Sequence, residues 1–299
     1  AFDIGRGDEV ITAANTFVAT VGAIIELGAK PVFVDCDDTF CMNVDLVEKA
    51  ITRKTKAIVP VHFTGYMTNM KKINKIANKY KLVVVEDACQ SILASQDGKI
   101  AGNWGVTGCF SLHPLKNLNV WSDGGVIITK NSKLNSKLRL LRNHGLKSRD
   151  EVQIMGFNSR LDTIQAVVGN WLIPQTKKIA SQRIKNARYY DQSFSKIAQI
   201  KIPPRPKGMK IVYHLYVVFA DQRDKLLEFC IKRNVEAKIH YPIPIYQQEA
   251  LKFLSYPKGS FPVTDHHSKN IISFPVDQHL AKDELDYVIK TVKEFYEKK

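Results

Sequence analysis

With 299 residues and 44% hydrophobic content, the chain can fold as one large domain or two ordinary ones around a packed core, which excludes a disordered or fibrous protein. Its 44 lysine and arginine residues stand against 29 aspartate and glutamate residues, a net charge of +15 that is spread along the sequence. Such a spread is typical of solvated helix faces, with anionic small ligands or a nucleic acid as the alternatives.

The cysteines and the apolar runs bear on location. The five cysteines are odd in number and include no C-x-x-C pair, which favours reduced thiols in the cytoplasm. No apolar run approaches the roughly 18 residues of a spanning helix, and the first residues lack the features of a signal peptide. We therefore expect a cytoplasmic protein with no membrane anchor.

Short apolar runs rich in β-branched residues predict the strands of a sheet that is buried on both faces. Helical patterns lie between several of them, as at 16–27, 44–51 and 69–80. This alternation predicts an α/β fold with a mostly parallel sheet. The predicted strands are 10–12, 31–35, 57–63, 82–86, 107–112 and 125–129.

The second half of the chain predicts a smaller α+β domain. A long helical stretch runs from residue 159 to about 195 and is interrupted at Pro174, where proline kinks or breaks a helix. A strand at 213–220, a helix at 223–233 and a closing helix from Lys282 follow. We expect a large domain at 1–175 and a small domain at 176–299.

The segment 110–125, FSLHPLKNLNVWSDGG, carries the most informative residue. Lys116 follows a predicted strand, and Asp87 follows another strand that ends in Val-Val-Val-Glu. Because ligands of parallel sheets collect at the carboxyl ends of the strands, the amine and the carboxylate should share one edge. A desolvated amine there has a lowered pKa and suits Schiff-base chemistry with an aldehyde cofactor.

Other common motifs are absent from the sequence. The eight histidines include no H-E-x-x-H, and His266-His267 stands alone, so we expect no metal site. There is no G-x-S-x-G elbow and no phosphate-binding G-x-x-x-x-G-K loop, and the GRGDEV segment lacks the third glycine of a dinucleotide fingerprint. Beside the lysine segment, His113 either touches substrate or packs, and we favour packing.

The segment around Lys116, the EDACQS segment at 86–91 and several further blocks resemble the DegT/StrS family of sugar aminotransferases. These enzymes use pyridoxal 5'-phosphate (PLP) on the aspartate aminotransferase fold (fold-type I), with a mostly parallel seven-stranded type of sheet. The further blocks are GDEVITAANTFVAT (7–20), PVFVD (31–35), TKAIVPVHFTG (55–65), LRNHG (141–145), GFNSRLDTIQA (156–166) and IHYPIPIY (239–246).

The resemblance implies roles for four residues near the cofactor ring. Lys116 would hold PLP as a Schiff base and Asp87 would bond the pyridinium N–H, so that the ring acts as an electron sink. Gln90 would lie near the phenolic oxygen and Phe17 would stack on the ring. Without the resemblance, Asp87 reads equally as a helix cap, Gln90 as a polar loop residue and Phe17 as a core residue.

Two more residues would bind the cofactor phosphate. Ser111, just before the lysine segment, matches the family serine that bonds it. Asn158 matches an asparagine that reaches the phosphate from a neighbouring subunit, which implies a homodimer with shared active sites. From the sequence alone, Ser111 is a plain strand serine and Asn158 a turn residue.

The activity implied is transamination of a nucleotide-linked keto-deoxysugar, with an amino acid, expected to be glutamate, as donor. The nearer alternative is a sugar dehydratase of the same family, but those enzymes replace the lysine by histidine. The other is a regulator on the same fold that binds nucleic acid through its positive charge, a partner that we do not expect.

One departure from the family concerns the start of the sequence. Family members carry a further segment before GDEV, with a Gly-Thr pair that opens a helix and binds the cofactor phosphate. Only residues 1–6 precede Gly7 here. We expect either that this N-terminal segment is missing from the chain as given or that cofactor binding is weakened.

Overall fold

The computed structural model describes residues 1–297 and shows an α/β fold. Its strands are β1 (Glu9–Ala13), β2 (Lys30–Val34), β3 (Thr55–Val59), β4 (Val83–Asp87), β5 (Ser95–Gln96), β6 (Lys99–Ile100), β7 (Thr107–Ser111), β8 (Gly125–Ile128), β9 (Ile200–Lys201), β10 (Met209–Lys210), β11 (Tyr216–Ala220) and β12 (Ile271–Phe274).

Eight α-helices connect and cover these strands. They are α1 (Val18–Ile25), α2 (Met70–Tyr80), α3 (Ser132–Leu141), α4 (Thr163–Leu172), α5 (Thr176–Phe194), α6 (Arg223–Lys232), α7 (Pro262–Asn270) and α8 (Lys282–Glu297). Short 3-10 helices occupy Val44–Leu46, Glu48–Ala50, Phe63–Gly65, Ile173–Gln175, Ile245–Gln247 and Glu249–Leu254. Within 1–297, no helix is both long and apolar enough to cross a membrane.

The main sheet has the strand order β2-β1-β3-β4-β7-β8. Every pair in it is parallel except β7 and β8, which pair antiparallel from Gly108 opposite Ile128 to Ser111 opposite Gly125. The mostly parallel sheet predicted from the sequence is therefore confirmed. Because β4 and β7 are parallel neighbours, the segments after them begin at the same edge.

Two details of the predicted sheet are wrong. Residues 1–297 contribute six strands to it where the family architecture implies seven. The expectation that all strands are buried on both faces also fails for β8, whose Val126 and Ile127 are 42% and 52% exposed. Strand β8 is an edge strand, and because Val126 and Ile127 are adjacent and point to opposite faces, neither face of β8 is fully covered within residues 1–297.

The helix predicted at 44–51 is also wrong in type. The structure has two 3-10 turns there, separated by Val47. Asn43 caps the first turn by accepting a hydrogen bond from the Asp45 N–H (3.1 Å). Each turn has only three residues, and Ile51 is already extended, so the segment is too short for the α-helical ladder to propagate.

In the second half, β11 pairs antiparallel with β9 and β12 to form a three-stranded sheet. Helices α5, α6 and α8 pack on it around fully buried Tyr190, Phe194 and Tyr216. Pro174 is the second residue of a 3-10 turn (Ile173–Gln175) that separates α4 from α5, so the interruption predicted from the sequence is present. Another three-stranded sheet, β10-β5-β6, joins segments from both halves of the chain.

A buried carboxylate links the two halves of the sequence. Asp35, directly after β2, accepts hydrogen bonds from the backbone N–H groups of Val263 and Thr264 (both 2.9 Å) and from the Thr264 hydroxyl (2.7 Å). These donors lie in the first turn of α7, where backbone N–H groups have no partner within the helix. The contact therefore fixes α7 against the main sheet.

Candidate active site

The centre of the candidate site is the Asp87 carboxylate at the carboxyl end of β4. Its Oδ2 accepts a hydrogen bond from the Thr20 hydroxyl (2.7 Å), and its Oδ1 accepts one from the Cys89 N–H (3.2 Å). The carboxylate is thus held at a fixed place at the edge of the sheet. A carboxylate held in this way can bond a cationic N–H of a bound ring.

Helix α1 brings the Thr20 hydroxyl to this carboxylate. The Thr20 hydroxyl lies 2.8 Å from that of Thr16, one turn earlier, and the pair is buried. Phe17 lies directly before α1, and its ring is 52% exposed although the residues on its N-terminal side are buried. An exposed aromatic ring at the start of the helix that carries Thr20 offers a stacking face for a planar ligand.

Lys116 lies in the turn after β7. Its backbone N–H donates to His113 O (2.9 Å), and the Asn117 side chain donates to Val212 O (3.0 Å), which docks the turn onto the segment before β11. Burial lowers the pKa of the Lys116 amine, although Cys89 and Asp87 act in the opposite direction. A larger fraction of this amine is therefore neutral, as nucleophilic and basic roles require.

Gln90 lies deeper in the same edge. Its Oε1 accepts a hydrogen bond from the Thr64 N–H (2.6 Å). Burial raises the pKa of the nearby Tyr241 hydroxyl to about 12, while Gln90 acts in the opposite direction. The Tyr241 ring lies 6.1 Å from the Phe17 ring and 6.0 Å from the Phe63 ring, measured between centroids. Gln90 therefore holds one wall of the site and leaves its amide next to a tyrosine hydroxyl.

A buried, hydrogen-bonded carboxylate supports this edge from behind. Glu86, next to Asp87 in β4, accepts hydrogen bonds from the backbone N–H groups of Gly102 (2.8 Å), Trp104 (2.6 Å) and Gly105 (2.7 Å). His62 Nε2 lies 2.9 Å from the same carboxylate. These contacts fix the loop after β6 and the end of β3 relative to β4.

The two thiols near the site are not nucleophiles. Burial raises the pKa of Cys109 to about 12 and that of Cys89 higher still, with the Asp87 charge adding to both shifts. At neutral pH both remain protonated, and the thiolate is the reactive form. Among the groups at this edge, Lys116 is therefore the nucleophile that chemistry favours.

The predicted phosphate-binding residues lie outside the hydrogen-bonded cluster described above. Ser111 ends β7, and its hydroxyl accepts a hydrogen bond from the His113 N–H (3.2 Å). Asn158 is exposed and accepts a hydrogen bond from Arg160 Nε (3.0 Å). No hydrogen bond in residues 1–297 joins either side chain to Lys116 or Asp87, so their roles stay predictions.

Sequence reasoning missed three residues that the structure brings to the site. Thr20 and Tyr241 lie inside blocks that carry the resemblance, but neither residue type signals a site by itself. His214 follows Lys116 by 98 residues, and its Nε2 lies 3.5 Å from Lys116 Nζ. Nothing in the local sequence places a histidine before β11 next to a lysine after β7.

The residues present fit pyridoxal phosphate. A partly buried amine suits its aldehyde, a fixed carboxylate suits its pyridine N–H, and an exposed aromatic ring suits its planar face. The three groups come from the turn after β7, the end of β4 and the start of α1, which meet at one edge of the sheet.

Comparison with known proteins gives a consistent result. The family described as the DegT/DnrJ/EryC1/StrS aminotransferase family matches residues 1–293. The chain is 39% identical over 299 residues to a pleiotropic regulatory protein of Geobacillus stearothermophilus, covering 99% of this chain and 80% of that protein. It is 36% identical over 294 residues to a UDP-N-acetyl-3-dehydro-alpha-D-glucosamine 3-aminotransferase of Acidithiobacillus ferrooxidans, covering 98% and 79%.

Solved structures are similar over almost the whole chain. DesV of S. venezuelae, crystallised in complex with a ketimine intermediate, superposes with a TM-score of 0.95 at 33% identity, covering 98% of this chain and 80% of that one. A sugar aminotransferase of Streptococcus pneumoniae in its PLP form superposes with a TM-score of 0.93 at 25% identity, covering 99% and 83%.

Proposed function

Because this chain belongs to the DegT/DnrJ/EryC1/StrS aminotransferase family, we propose that it is a PLP-dependent nucleotide-sugar aminotransferase with Lys116 and Asp87 at its centre. The single observation that carries the proposal is the pairing of a desolvated amine with a fixed carboxylate at one sheet edge. Amine and carboxylate are the two groups that PLP-dependent transamination requires from a protein.

The substrate class follows from the relatives. Related proteins that share 33% to 37% of their residues with this chain are named for transamination of dTDP-linked or UDP-linked sugars. We therefore assign a nucleotide-linked keto-deoxysugar as acceptor and an amino acid, with glutamate as the expected donor. The net charge of +15 is compatible with a diphosphate-linked substrate.

The mechanism assigns the proton transfers to Lys116. When bound, the cofactor supplies an aldehyde that takes up the amino group and a ring that holds the electron pair left at carbon. Lys116 would hold the cofactor at rest, and its freed amine would be the base that removes the proton from the donor Cα and the acid that gives it back. The lowered pKa keeps a larger share of this amine in its basic form.

Asp87 supplies the matching negative charge. Its carboxylate would keep the ring nitrogen of the cofactor protonated, and Thr20 orients one of the carboxylate oxygens. Phe17 would stack on the cofactor ring, and Gln90 would lie near its phenolic oxygen.

We also propose that the active unit is a homodimer in which Asn158 reaches the cofactor phosphate of the partner subunit. Asn158 is exposed and lies just before α4, whose Ile164 is 80% exposed. Such an apolar helix face beside an exposed polar side chain is typical of a subunit interface next to a site.

The test is product analysis with the PLP-loaded enzyme, glutamate and UDP-linked or dTDP-linked 3-keto and 4-keto sugars. We expect 2-oxoglutarate and a nucleotide-linked amino sugar in equal amounts by mass spectrometry. Lys116→His should abolish turnover, because imidazole cannot hold the aldehyde as lysine does. His279→Gln, an exposed histidine remote from Lys116 in sequence, is the control.

Two other outcomes would replace the proposal. A product that has lost an oxygen without gaining nitrogen would identify a dehydratase that carries lysine. Absence of any cofactor absorption after incubation with PLP, together with salt-dependent binding to nucleic acid, would identify a regulator, the role in the name of the Geobacillus relative.

A further inference from the structure

The environment of Lys116 Nζ includes one side chain with no role in the proposed mechanism so far. His214 Nε2 lies 3.5 Å from Nζ, and no other side-chain hydrogen bond of this amine occurs in residues 1–297. The contact joins the turn after β7 to the segment before β11, two parts of the chain that sequence separates by 98 residues.

The backbone around His214 is fixed from several sides. Gly65 packs so closely that a Cβ on it would lie 2.5 Å from the Tyr213 N atom, and its φ of +110° is one that side-chain-bearing residues avoid. Buried Arg183 donates from Nη1 to both Tyr213 O and His214 O (both 3.3 Å). The imidazole is therefore presented to Lys116 by a rigid segment.

The two ring nitrogens of His214 differ in their contacts. Nε2 faces Lys116, while Nδ1 is buried and has no hydrogen-bond partner in the described chain. In His62, by contrast, Nε2 pairs with Glu86 and Nδ1 accepts from the Thr68 N–H (3.2 Å). Since nothing holds Nδ1 of His214, the lysine decides which nitrogen carries the proton.

On these observations, and given the proposed function, we propose that His214 is a positioning residue for Lys116. Its Nε2 accepts a hydrogen bond from the Lys116 Nζ–H in both protonation states of the amine. An ammonium and a neutral amine each have an N–H to donate, so the contact persists when the proton moves. In the neutral state the lysine lone pair then points away from the imidazole and is free to take the substrate proton.

The imidazole must stay neutral to accept this bond. Burial lowers the pKa of His214 well below its usual value, and the positive charge of Lys116 acts in the same direction. The titratable and charged groups around the pair are Asp87, Cys89, His113, Arg183 and His240. Of the groups that act on the His214 pKa, none raises it, so the imidazole does not compete with Lys116 for the proton.

The first test measures Lys116 in the apoprotein, independently of turnover. The pH dependence of its acetylation, followed by peptide mass spectrometry, gives the pKa of the amine. In His214→Phe the ammonium loses an acceptor while the site stays apolar, so this pKa should fall by about one unit. His214→Gln, whose amide oxygen also accepts, should restore the wild-type value.

The matched control is His267→Phe, another buried histidine, which packs on Phe40 and makes no contact with Lys116. It should leave the Lys116 pKa unchanged. An unchanged or raised pKa in a folded His214→Phe variant would overturn the proposal, because a purely structural role would at most expose the amine and raise its pKa.

A second measurement needs no variant. Nitrogen-15 NMR of the wild-type apoprotein should show His214 neutral and protonated on Nδ1 throughout the titration of Lys116. Protonation on Nε2 or a charged ring would contradict the proposal.

With PLP and glutamate, His214→Phe should also lower the half-reaction rate about tenfold with little change in the KM for glutamate.

These results are separable from a failure of the proposed function. If the wild-type enzyme made no amino sugar, the acetylation and NMR results would still report whether His214 holds the amine of Lys116. If amino sugar formed but the Lys116 pKa did not respond to His214, only the positioning role would be lost.

Discussion

The Lys116 side chain differs from most other lysines of the chain in its burial, which sets the pKa of its amine. Most lysines of this chain are exposed, whereas burial lowers the pKa of Lys116. A lysine with a lowered pKa reacts faster with an aldehyde near neutral pH, because more of it is unprotonated. The position of the amine next to Asp87 and His214 makes that reactivity specific to one place.

We therefore predict that PLP binds covalently to Lys116. Reduction of the loaded enzyme with borohydride should add the pyridoxyl mass to the peptide that contains Lys116. Lys130, the next lysine along the chain and part of the exposed surface, is the internal control and should stay unmodified. Stoichiometric label on any other lysine would refute the assignment.

A second prediction concerns the charge of Asp87. Asp87→Asn should keep the fold and lower the rate of the half-reaction with glutamate about 100-fold or more, because a neutral amide does not stabilise the positive ring nitrogen. Thr20→Val keeps the carboxylate but removes one hydrogen bond to it, so about a tenfold loss is expected. Stopped-flow absorbance of the cofactor band measures both, and equal rates in all three proteins would disprove the role.

At the level of elements, one buried carboxylate ties the carboxyl ends of β3 and β4 to the loop before β7. Glu86 in β4 accepts hydrogen bonds from three backbone N–H groups of the loop 102–105 and lies 2.9 Å from His62 after β3. Burial alone would raise the pKa of this carboxyl, but the hydrogen bonds from His62 and from the Gly105 and Gly102 N–H groups outweigh it and lower the pKa.

This cluster predicts a pH-dependent stability. Because the folded pKa of Glu86 is lowered, its stabilisation is present above the unfolded value of about 4.3 and is lost as the pH falls through the folded value. Glu86→Gln should lower the free energy of unfolding by about 2–4 kcal/mol at pH 7, and the difference should shrink below about pH 4. Urea denaturation at both pH values measures it.

The control for this stability prediction is Glu48→Gln. Glu48 is exposed and pairs with Lys79 on the surface, where solvent screens the interaction, so little change in stability is expected. If Glu86→Gln were as stable as Glu48→Gln at pH 7, the buried carboxylate would have no role in holding the sheet edge.

Sequence pattern predicted the elements better than their contacts. Helix α2, expected at 69–80, occupies Met70–Tyr80, because its apolar residues recur at the helical period and Asn69 caps its start by accepting from the Lys72 N–H. Strand β12 was missed, since its four residues are too few to show a period. The 44–51 segment was misassigned because a short apolar pattern does not distinguish an α-helix from 3-10 turns.

The candidate site shows the same limit. Lys116 and Asp87 could be paired from the sequence because both follow strands of one parallel sheet, and parallel strands end at the same edge. Thr20, Tyr241 and His214 could not, because each reaches the site through packing between distant segments. Tertiary distances of this kind have no local pattern in the sequence.

At the scale of the whole molecule, the described chain has one apolar face that its own packing does not cover. On α4, Ile164, Val167 and Trp171 are 80%, 64% and 61% exposed and lie on one side of the helix, as the spacing of three and four residues requires. Helix α4 directly follows Asn158, the residue that we assign to the partner's site. The division of the chain into a large domain at 1–175 and a small domain at 176–299 is a separate proposal.

The last prediction tests whether two subunits share each site. Lys116→Ala lacks the amine, and Asn158→Ala should bind PLP weakly, so each variant alone should be nearly inactive at limiting PLP. In a mixed dimer, Lys116 of one subunit meets Asn158 of the other, so one of the two sites is complete. Random mixing should therefore restore about a quarter of the wild-type activity.

Adding Ile164→Asp to both variants places a charge on the exposed face of α4 and should abolish this rescue. Ile231→Asp, at a similarly exposed isoleucine on α6, should leave it intact. Because complementation requires a residue to cross between subunits, no rescue with an intact dimer by sedimentation would show that each site is built from one chain.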